Sequence, residues 1–190
     1  LINKSVNCVE LEHLAPSGSL SLMDLGCGEG FLLDYFSKQG WTVAGADFSN
    51  TGMAKHFPEH LDKLRLGNLF NTIDQLIEEK QTYDIITCNN VLEHVKDPIT
   101  FLQKVPKLLK QDGLLRISVP NDDSLLQSEV VRRGFAVKEY WKALPDHLSY
   151  FNSDTFLKTL VLKFGKPIFP LITTTILNMN RVVLLEQILV

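Results

Sequence analysis

An apolar run over residues 19–25 leads straight into Gly26-Cys27-Gly28-Glu29-Gly30, and residues 29–39 then carry Phe31, Leu32, Tyr35 and Phe36 at helical spacing. A strand that turns through glycines into a helix is half of a strand–helix–strand unit, and repetition of that unit builds a parallel sheet covered by helices. The pattern does repeat. Gly40 stops the helix, and residues 42–47 read as a second strand. Ser49 can cap a short helix that ends before Pro58. Residues 64–66 form a brief third strand, and residues 71–80 a helix with Ile73, Leu76 and Ile77 inward. Residues 83–88 are β-branched and aromatic, as a fourth strand should be. Asp97-Pro98 starts a helix through Phe101, Leu102, Val105, Leu108 and Leu109, which Pro106 must kink or split. Asp112-Gly113 turns the chain into a fifth strand over 114–119, closed by Pro120.

The expected fold is therefore α/β, a three-layer Rossmann-like sandwich with right-handed crossovers. Residues 1–19 read as a lead-in. Residues 121–152 break the rhythm with Tyr140, Trp141, Pro145, His147, Tyr150 and Phe151, and read as a lid or substrate wall inserted after the fifth strand. Residues 153–164 are amphipathic again. Two β-rich runs, 168–176 and 181–190, predict a terminal hairpin that completes a mostly parallel sheet of seven strands.

A chain of 190 residues with 45% hydrophobic and 22% charged side chains fits one globular domain over 1–190. A net charge of −3 and the lack of a basic block disfavour nucleic acid as partner, and Arg132-Arg133 reads as a solvated face. Cys8, Cys27 and Cys88 make an odd set with no Cys-x-x-Cys spacing, against both a disulfide framework and a zinc site. A reducing, cytoplasmic setting is expected, and no signal peptide is visible. Pro170, Asn178, Asn180, Arg181 and Glu186 interrupt the apolar tail, so a membrane span is not expected.

Ligands of open α/β sheets bind beyond the carboxyl ends of the strands, where the glycine loop falls. Gly26 and Gly28 permit a sharp turn and close approach of a ligand to backbone, and the following helix aims unpaired N–H groups at the same space. The dinucleotide pattern G-x-G-x-x-G/A would place its third small residue at position 31, which is Phe31. The loop is instead G-x-G-x-G, one residue tighter, and no Gly-Lys-Ser/Thr of a phosphate-binding loop is present. S-adenosylmethionine carries no phosphate, and Asp24 suits its ammonium. Asp47 ends the second strand 21 residues after Gly26, where a carboxylate can accept from both ribose hydroxyls. Phe48 can pack on the adenine face or serve as plain core.

Three segments carry a resemblance. LMDLGCGEGFLLDYFSKQGWTVAGADFS, YDIITCNNVLEHVKDP and LLKQDGLLRISVPN together resemble the class I S-adenosylmethionine-dependent methyltransferases. They look closest to the small-molecule group that includes the ubiquinone-biosynthesis O-methyltransferases, with Asp-His-Leu-Ser-Tyr-Phe before the last amphipathic helix in support. The resemblance spans about residues 20–164. It implies that Asp24, Gly26, Cys27 and Gly28 line the methionine end of the cofactor and that Asp47 holds the ribose. An acidic residue often stands at position 68 to receive the adenine amino group; here it is Asn68, whose amide oxygen can still accept. Leu69 would add a backbone contact, and Asn89 and Asn90 would lie near the sulfonium and methionine portion or form a satisfied turn pair.

Methyl transfer needs a nucleophile aligned behind an activated methyl, and a hydroxyl or amine acceptor must lose a proton. His94 and His147 are the catalytic candidates, each of which could instead be an anchor of its own segment. Glu93 beside His94 resembles the start of the divalent-metal set of some related quinone O-methyltransferases, but two adjacent residues are not a site without further ligands, so no metal is expected. His56 and His60 straddle Pro58, which spoils a shared helix, and both read as surface residues. Tyr140 and Trp141 could line an apolar acceptor or pack as core. The expected activity is methyl transfer from S-adenosylmethionine to a small-molecule oxygen or nitrogen. A cofactor-binding regulatory or partner subunit of the same fold is the alternative, and a nicotinamide oxidoreductase is disfavoured by the tight loop. Acceptor and oligomeric state are left open.

Overall fold

The structure is a computed structural model, and it describes residues 19–139, 141–142, 144–152, 154–156, 158–159 and 181–187. Its strands are β1 (Ser21–Leu25), β2 (Thr42–Asp47), β3 (Leu64–Leu66), β4 (Tyr83–Asn89), β5 (Leu109–Pro120) and β6 (Arg181–Gln187). They form one sheet in the order β3-β2-β1-β4-β5-β6. β1 lies parallel to both β2 and β4, and β2 parallel to β3, with Asp24 in register with Gly45 on one side and Thr87 on the other. The helices are α1 (Phe31–Lys38), α2 (Thr51–His56), α3 (Leu69–Glu78), α4 (Pro98–Lys104) and α5 (Leu125–Arg132), with 3-10 turns at Pro58–Lys63, Leu92–His94 and Val105–Leu108.

The described residues divide into two compact units: one holds those up to Cys88 together with Lys104–Leu115 and Gln187, and the other holds Asn89–Gln103 and the described residues between Arg116 and Glu186. In the first unit, Leu22, Met23 and Leu25 of β1 are fully buried, as befits a strand covered on both faces. Leu33 and Phe36 of α1 join Leu22, Val43, Met53 and Ile85 in its core, and Phe36 stacks on Trp41 with ring centroids 4.3 Å apart. Helix α1 starts at Phe31, two residues later than the periodicity suggested, because Gly30 takes the left-handed conformation (φ 83°). Helix α3 starts two residues earlier than expected, since the Asn68 side chain caps it. Ser49 was expected to cap α2, but the N-cap is Asn50, which makes no side-chain cap bond; the Ser49 hydroxyl instead accepts the N–H of Thr51, the first helical residue, at 3.2 Å.

Asp97 caps α4 by accepting the Thr100 N–H at 2.9 Å, and the helix gives way at Pro106 to the 3-10 turn Val105–Leu108. In the second unit, residues 121–152 hold a helix that the sequence reading passed over. Ser124 and Gln127 close a reciprocal capping box at the start of α5. Residues 154–156 and 158–159 are helical, within the expected amphipathic segment. Of the expected terminal hairpin, β6 covers part of the 181–190 run and the expected partner over 168–176 lies outside the described residues; six strands of the sheet are present among those described. Asp112, with φ 61°, lies inside an assigned strand that begins at Leu109 rather than 114. Among the described residues no helix is long and apolar enough to cross a membrane.

Candidate functional site

In the first unit, parallel β1, β2 and β3 deliver three of the expected cofactor groups from their carboxyl ends. After β1 the chain passes through Gly26, Gly28 and Gly30, with φ of 76°, 53° and 83°. Only glycine adopts such a run without strain. The Gly26 N–H donates to Ala46 O at 2.7 Å, which ties the loop to the end of β2. At Gly28 a side chain would meet nothing within 4 Å, so its backbone borders open space. The Asp47 carboxylate accepts the Gly28 N–H at 2.8 Å on one oxygen and the Ser49 N–H at 3.0 Å on the other. Each oxygen keeps lone-pair capacity for a further donor. Asp47 thus braces the glycine loop with the same group expected to receive the ribose hydroxyls.

Asp24 is buried, and its Oδ1 accepts the Thr87 hydroxyl at 2.6 Å. Thr87 was missed in the sequence, where it reads as one more β-branched strand residue. Cys27 is a free, buried thiol, and burial, followed by the charges of Asp24 and Asp47, pushes it far above the usual thiol range. It is a packing residue and not a nucleophile at neutral pH. Phe48 is 85% exposed, which removes the core reading and leaves its ring available to an adenine face. Phe31, which displaces the dinucleotide pattern, packs edge-on against Phe57 with centroids 5.1 Å apart. Asn68 has a role beyond the reading given to it. Its Oδ1 accepts the Phe70 and Asn71 N–H groups at 3.0 and 3.4 Å, so the oxygen expected to receive the adenine amino group also caps α3. Leu69 is the half-buried first residue of that helix.

The second unit carries the rest. Asn89 closes β4, and its Oδ1 accepts from the Arg116 guanidinium and from the Ser118 hydroxyl at 3.0 Å. Since Arg116 only donates, the Asn89 amide is oriented, and its –NH2 faces away from that pair. Arg116 is 1% exposed and, like Ser118, was passed over as an ordinary strand residue. Asn90 has φ 53°, donates its N–H to Ser118 O at 2.9 Å, and holds a buried Oδ1 that makes no hydrogen bond. That acceptor is suited to a ligand donor.

His94 and His147 come together. Their rings meet edge-to-face with centroids 4.9 Å apart, and Tyr150 lies 6.0 Å from His147. His94 Nδ1 lies 2.7 Å from the carbonyl of Asp146, which fixes the proton on Nδ1 and leaves Nε2 as the basic nitrogen. The segment bearing His147 is pinned by main chain, because the Leu148 and Ser149 N–H groups donate to Glu93 O at 2.8 and 3.1 Å. Glu93 itself is fully buried, with a carboxylate oxygen 4.0 Å from His94 Nε2. One ligand atom from each of Glu93, His94 and His147 falls within a 4.8 Å cluster, so His147 stands as the further ligand that the sequence did not connect to Glu93 and His94. A carbonyl on Nδ1 is also how a metal-bound imidazole is commonly oriented, and the donor set fits a divalent ion. Asp122, another group the sequence reading passed over, is buried. Burial raises its carboxyl, against the pull of the Phe151 N–H and of His147. Trp141 donates to Asp123 Oδ1 at 3.0 Å, which leaves it half-buried rather than core; Tyr140 lies outside the described residues.

His56 and His60 end up on separate elements, α2 and the following 3-10 turn, as Pro58 requires. His60 is buried rather than on the surface as expected, because that turn packs it toward α1.

A family described as a methyltransferase domain matches residues 5–165. A ubiquinone biosynthesis O-methyltransferase of Coxiella burnetii is 33% identical over 121 residues, 61% of this chain and 51% of that protein. One from Aliivibrio fischeri is 31% identical over 143 residues, 73% of this chain and 61% of that protein. The chain therefore spans between about half and three fifths of the length of these relatives. The fold matches magnesium protoporphyrin IX methyltransferase from Synechocystis PCC 6803, with a TM-score of 0.66 over 96% of this chain and 80% of that one at 16% identity. It also matches a SAM-dependent methyltransferase from Archaeoglobus fulgidus, with a TM-score of 0.61 over 85% and 68% of the two chains at 19% identity. With a family match over most of its length, the chain belongs to the family described as a methyltransferase domain.

Proposed function

We propose that this chain transfers the methyl group of S-adenosylmethionine to an oxygen of a small molecule, with His94 as the proton acceptor and His147 beside it. The observation that carries the reading is the contact between His94 Nδ1 and the Asp146 carbonyl, which leaves Nε2 with a free lone pair. The cofactor supplies a methyl already activated on a positive sulfur. The chain's own tasks are to hold that donor, exclude water and remove a proton from the acceptor. In the first unit, Gly26, Cys27, Gly28 and Asp24 serve the methionine end, Asp47 the ribose, and Phe48 and Leu69 the adenine side; in the second unit, taken by itself, Asn89 offers an oriented amide and Asn90 a buried acceptor. The acceptor's O–H proton passes to His94 Nε2 as its oxygen bonds to the methyl carbon. The cofactor, when bound, would supply the methyl and take up the electrons of the broken sulfur–carbon bond, leaving as S-adenosylhomocysteine. Oxygen is preferred over nitrogen because the matching relatives bear the name O-methyltransferase.

One observation favours a second reading. The clustering of Glu93, His94 and His147 would let the three hold a divalent ion. Such an ion would polarise the acceptor oxygen and lower its pKa, so that His94 binds metal rather than proton. The test is a screen of small hydroxylated acceptors with S-adenosylmethionine, read as S-adenosylhomocysteine release with and without added Mg²⁺ or chelator. Turnover that is indifferent to chelator supports the proton-acceptor role, and turnover that requires the ion supports the second. No release from any acceptor, despite cofactor binding, would return the chain to a binding role.

A further inference from the structure

A second cluster of donor groups lies wholly within the first unit, and the cofactor loop does not use it. Asp34 on α1 and Glu59 and His60 on the 3-10 turn Pro58–Lys63 each bring one ligand atom into a 4.8 Å cluster. The His60 side chain is 8% exposed, and its Nε2 is buried without a hydrogen bond although Asp34 Oδ1 stands 3.4 Å away. The two groups are close but misaligned for hydrogen bonding. That spacing has another meaning. Two donors on a tetrahedral zinc, each at about 2.0–2.1 Å, are separated by roughly 3.4 Å. The orphaned nitrogen and the carboxylate oxygen therefore stand where two ligands of one zinc ion would stand.

We propose that Asp34, Glu59 and His60 form a zinc site that clamps the Pro58–Lys63 turn to α1. Zinc accepts one imidazole and two carboxylates, with water as a fourth ligand. Glu59 is exposed and free to swing onto the ion from the solvent side. Two lysines compete. Lys38 bonds Asp34 Oδ2 at 2.8 Å, but its side chain is 71% exposed and it holds the oxygen that does not face His60. Lys63 Nζ stands 3.4 Å from His60 Nδ1 and equally far from Ser37 Oγ. On zinc binding at Nε2 the imidazole proton moves to Nδ1, and Lys63 swings to Ser37. The clamp braces the helix that begins directly after the glycine loop.

The test is calorimetric titration of the whole chain with ZnCl₂ in a non-coordinating buffer, in wild type, His94→Gln, His60→Gln, Asp34→Asn and Glu59→Gln. The His94→Gln protein removes any contribution from the other cluster. We expect it to keep one zinc per chain, and His60→Gln and Asp34→Asn each to weaken that binding by more than about 100-fold, beyond the roughly 10–100-fold loss of an outer-sphere partner alone. Glu59→Gln, on an exposed side chain, guards against a folding defect in the buried variants and should weaken binding to a smaller degree. Cofactor affinity should be unchanged in Glu59→Gln, which separates this site from the methyl-transfer reading. Absence of zinc binding in His94→Gln, or wild-type zinc affinity in the His60→Gln and Asp34→Asn variants, would overturn the proposal.

Discussion

Asp47 Oδ2 accepts the backbone N–H of Gly28 at 2.8 Å, so the residue expected to bind ribose also shapes the loop expected to bind methionine. Removing the carboxylate strips two backbone N–H partners, those of Gly28 and Ser49, as well as the ribose acceptor. Asp47→Ala should weaken S-adenosylmethionine binding on the order of 100-fold, the scale of losing hydrogen bonds to a charged group. Gly28→Val should also abolish tight binding, for a different reason. A side chain there finds open space, but φ is 53°, which a β-branched residue resists, and the branch would fill the ligand's approach. Isothermal titration giving wild-type affinity in both variants would remove the loop and Asp47 from the cofactor site.

His94 and His147 share a ring contact, yet their loss should be felt in turnover and not in cofactor affinity. His147→Ala should lower kcat on the order of 100-fold, the usual scale for a positioned acid–base group, with little change in the Kd for S-adenosylmethionine. His94→Gln should behave alike, because glutamine keeps a donor for the Asp146 carbonyl but has no basic nitrogen. Equal turnover of wild type and His147→Ala on the true acceptor would take His147 out of the mechanism.

What the sequence could reveal followed the reach of each signal. The glycine loop, β2 and β3 were legible because local rules fix them: positive φ at Gly26, Gly28 and Gly30, and β-branched or apolar runs bounded by turns. The Asp97 cap and the break at Pro106 were legible for the same reason. The partners of those residues were not. Thr87 beneath Asp24, Arg116 against Asn89 and the Asp146 carbonyl on His94 are 63, 27 and 52 positions away in the chain, and nothing local marks them. Asn68 shows a local signal left unread. A family-level role was assigned to its amide oxygen, while the local N-cap signal, an Asn before an apolar helix, went unused. His60 was assigned to the surface from its neighbour Pro58, and only tertiary packing buries it.

Ser21 and Asp84 knot β1 to β4 at the ends remote from the glycine loop. Asp84 Oδ2 accepts from the Ser21 N–H at 2.7 Å, the Ser21 hydroxyl at 2.6 Å and Lys110 Nζ at 2.8 Å. Burial alone would raise this carboxyl, but Lys110 and the two Ser21 donors outweigh it and hold it below the ordinary aspartate range. A depressed folded pKa means stability that is fully present above the unfolded value, near 3.9, and lost as pH falls through the folded value. Asp84→Asn should therefore cost about 1–2 kcal/mol at pH 7, seen as a lower Tm. The gap to wild type should narrow as pH drops below about 4. A gap that stays constant from pH 7 to pH 3 would mean that the charge of Asp84 is not what holds the strands.

Gly45 is a tight point of the cofactor loop's support, although its backbone conformation does not demand glycine. A Cβ there would lie 2.7 Å from Cys27 Sγ, 3.0 Å from Leu33 Cδ2 and 3.2 Å from Cys27 Cβ. Real carbon and sulfur atoms do not approach so closely, and both Cys27 and Leu33 are buried with little room to yield. Gly45→Ala should destabilise the protein by about 1–3 kcal/mol, the range of overpacked cores, and weaken cofactor binding by displacing the loop at Cys27. Cys27→Ala should be mild by itself, since the thiol acts only by packing. Because the worst contact is with Sγ, combining the two changes should restore much of the stability that Gly45→Ala loses. A double-mutant cycle by denaturant titration should then give a favourable coupling of about 1 kcal/mol or more between the positions. Strict additivity would show that the helix side chain of Leu33, and not the loop cysteine, sets the limit at Gly45.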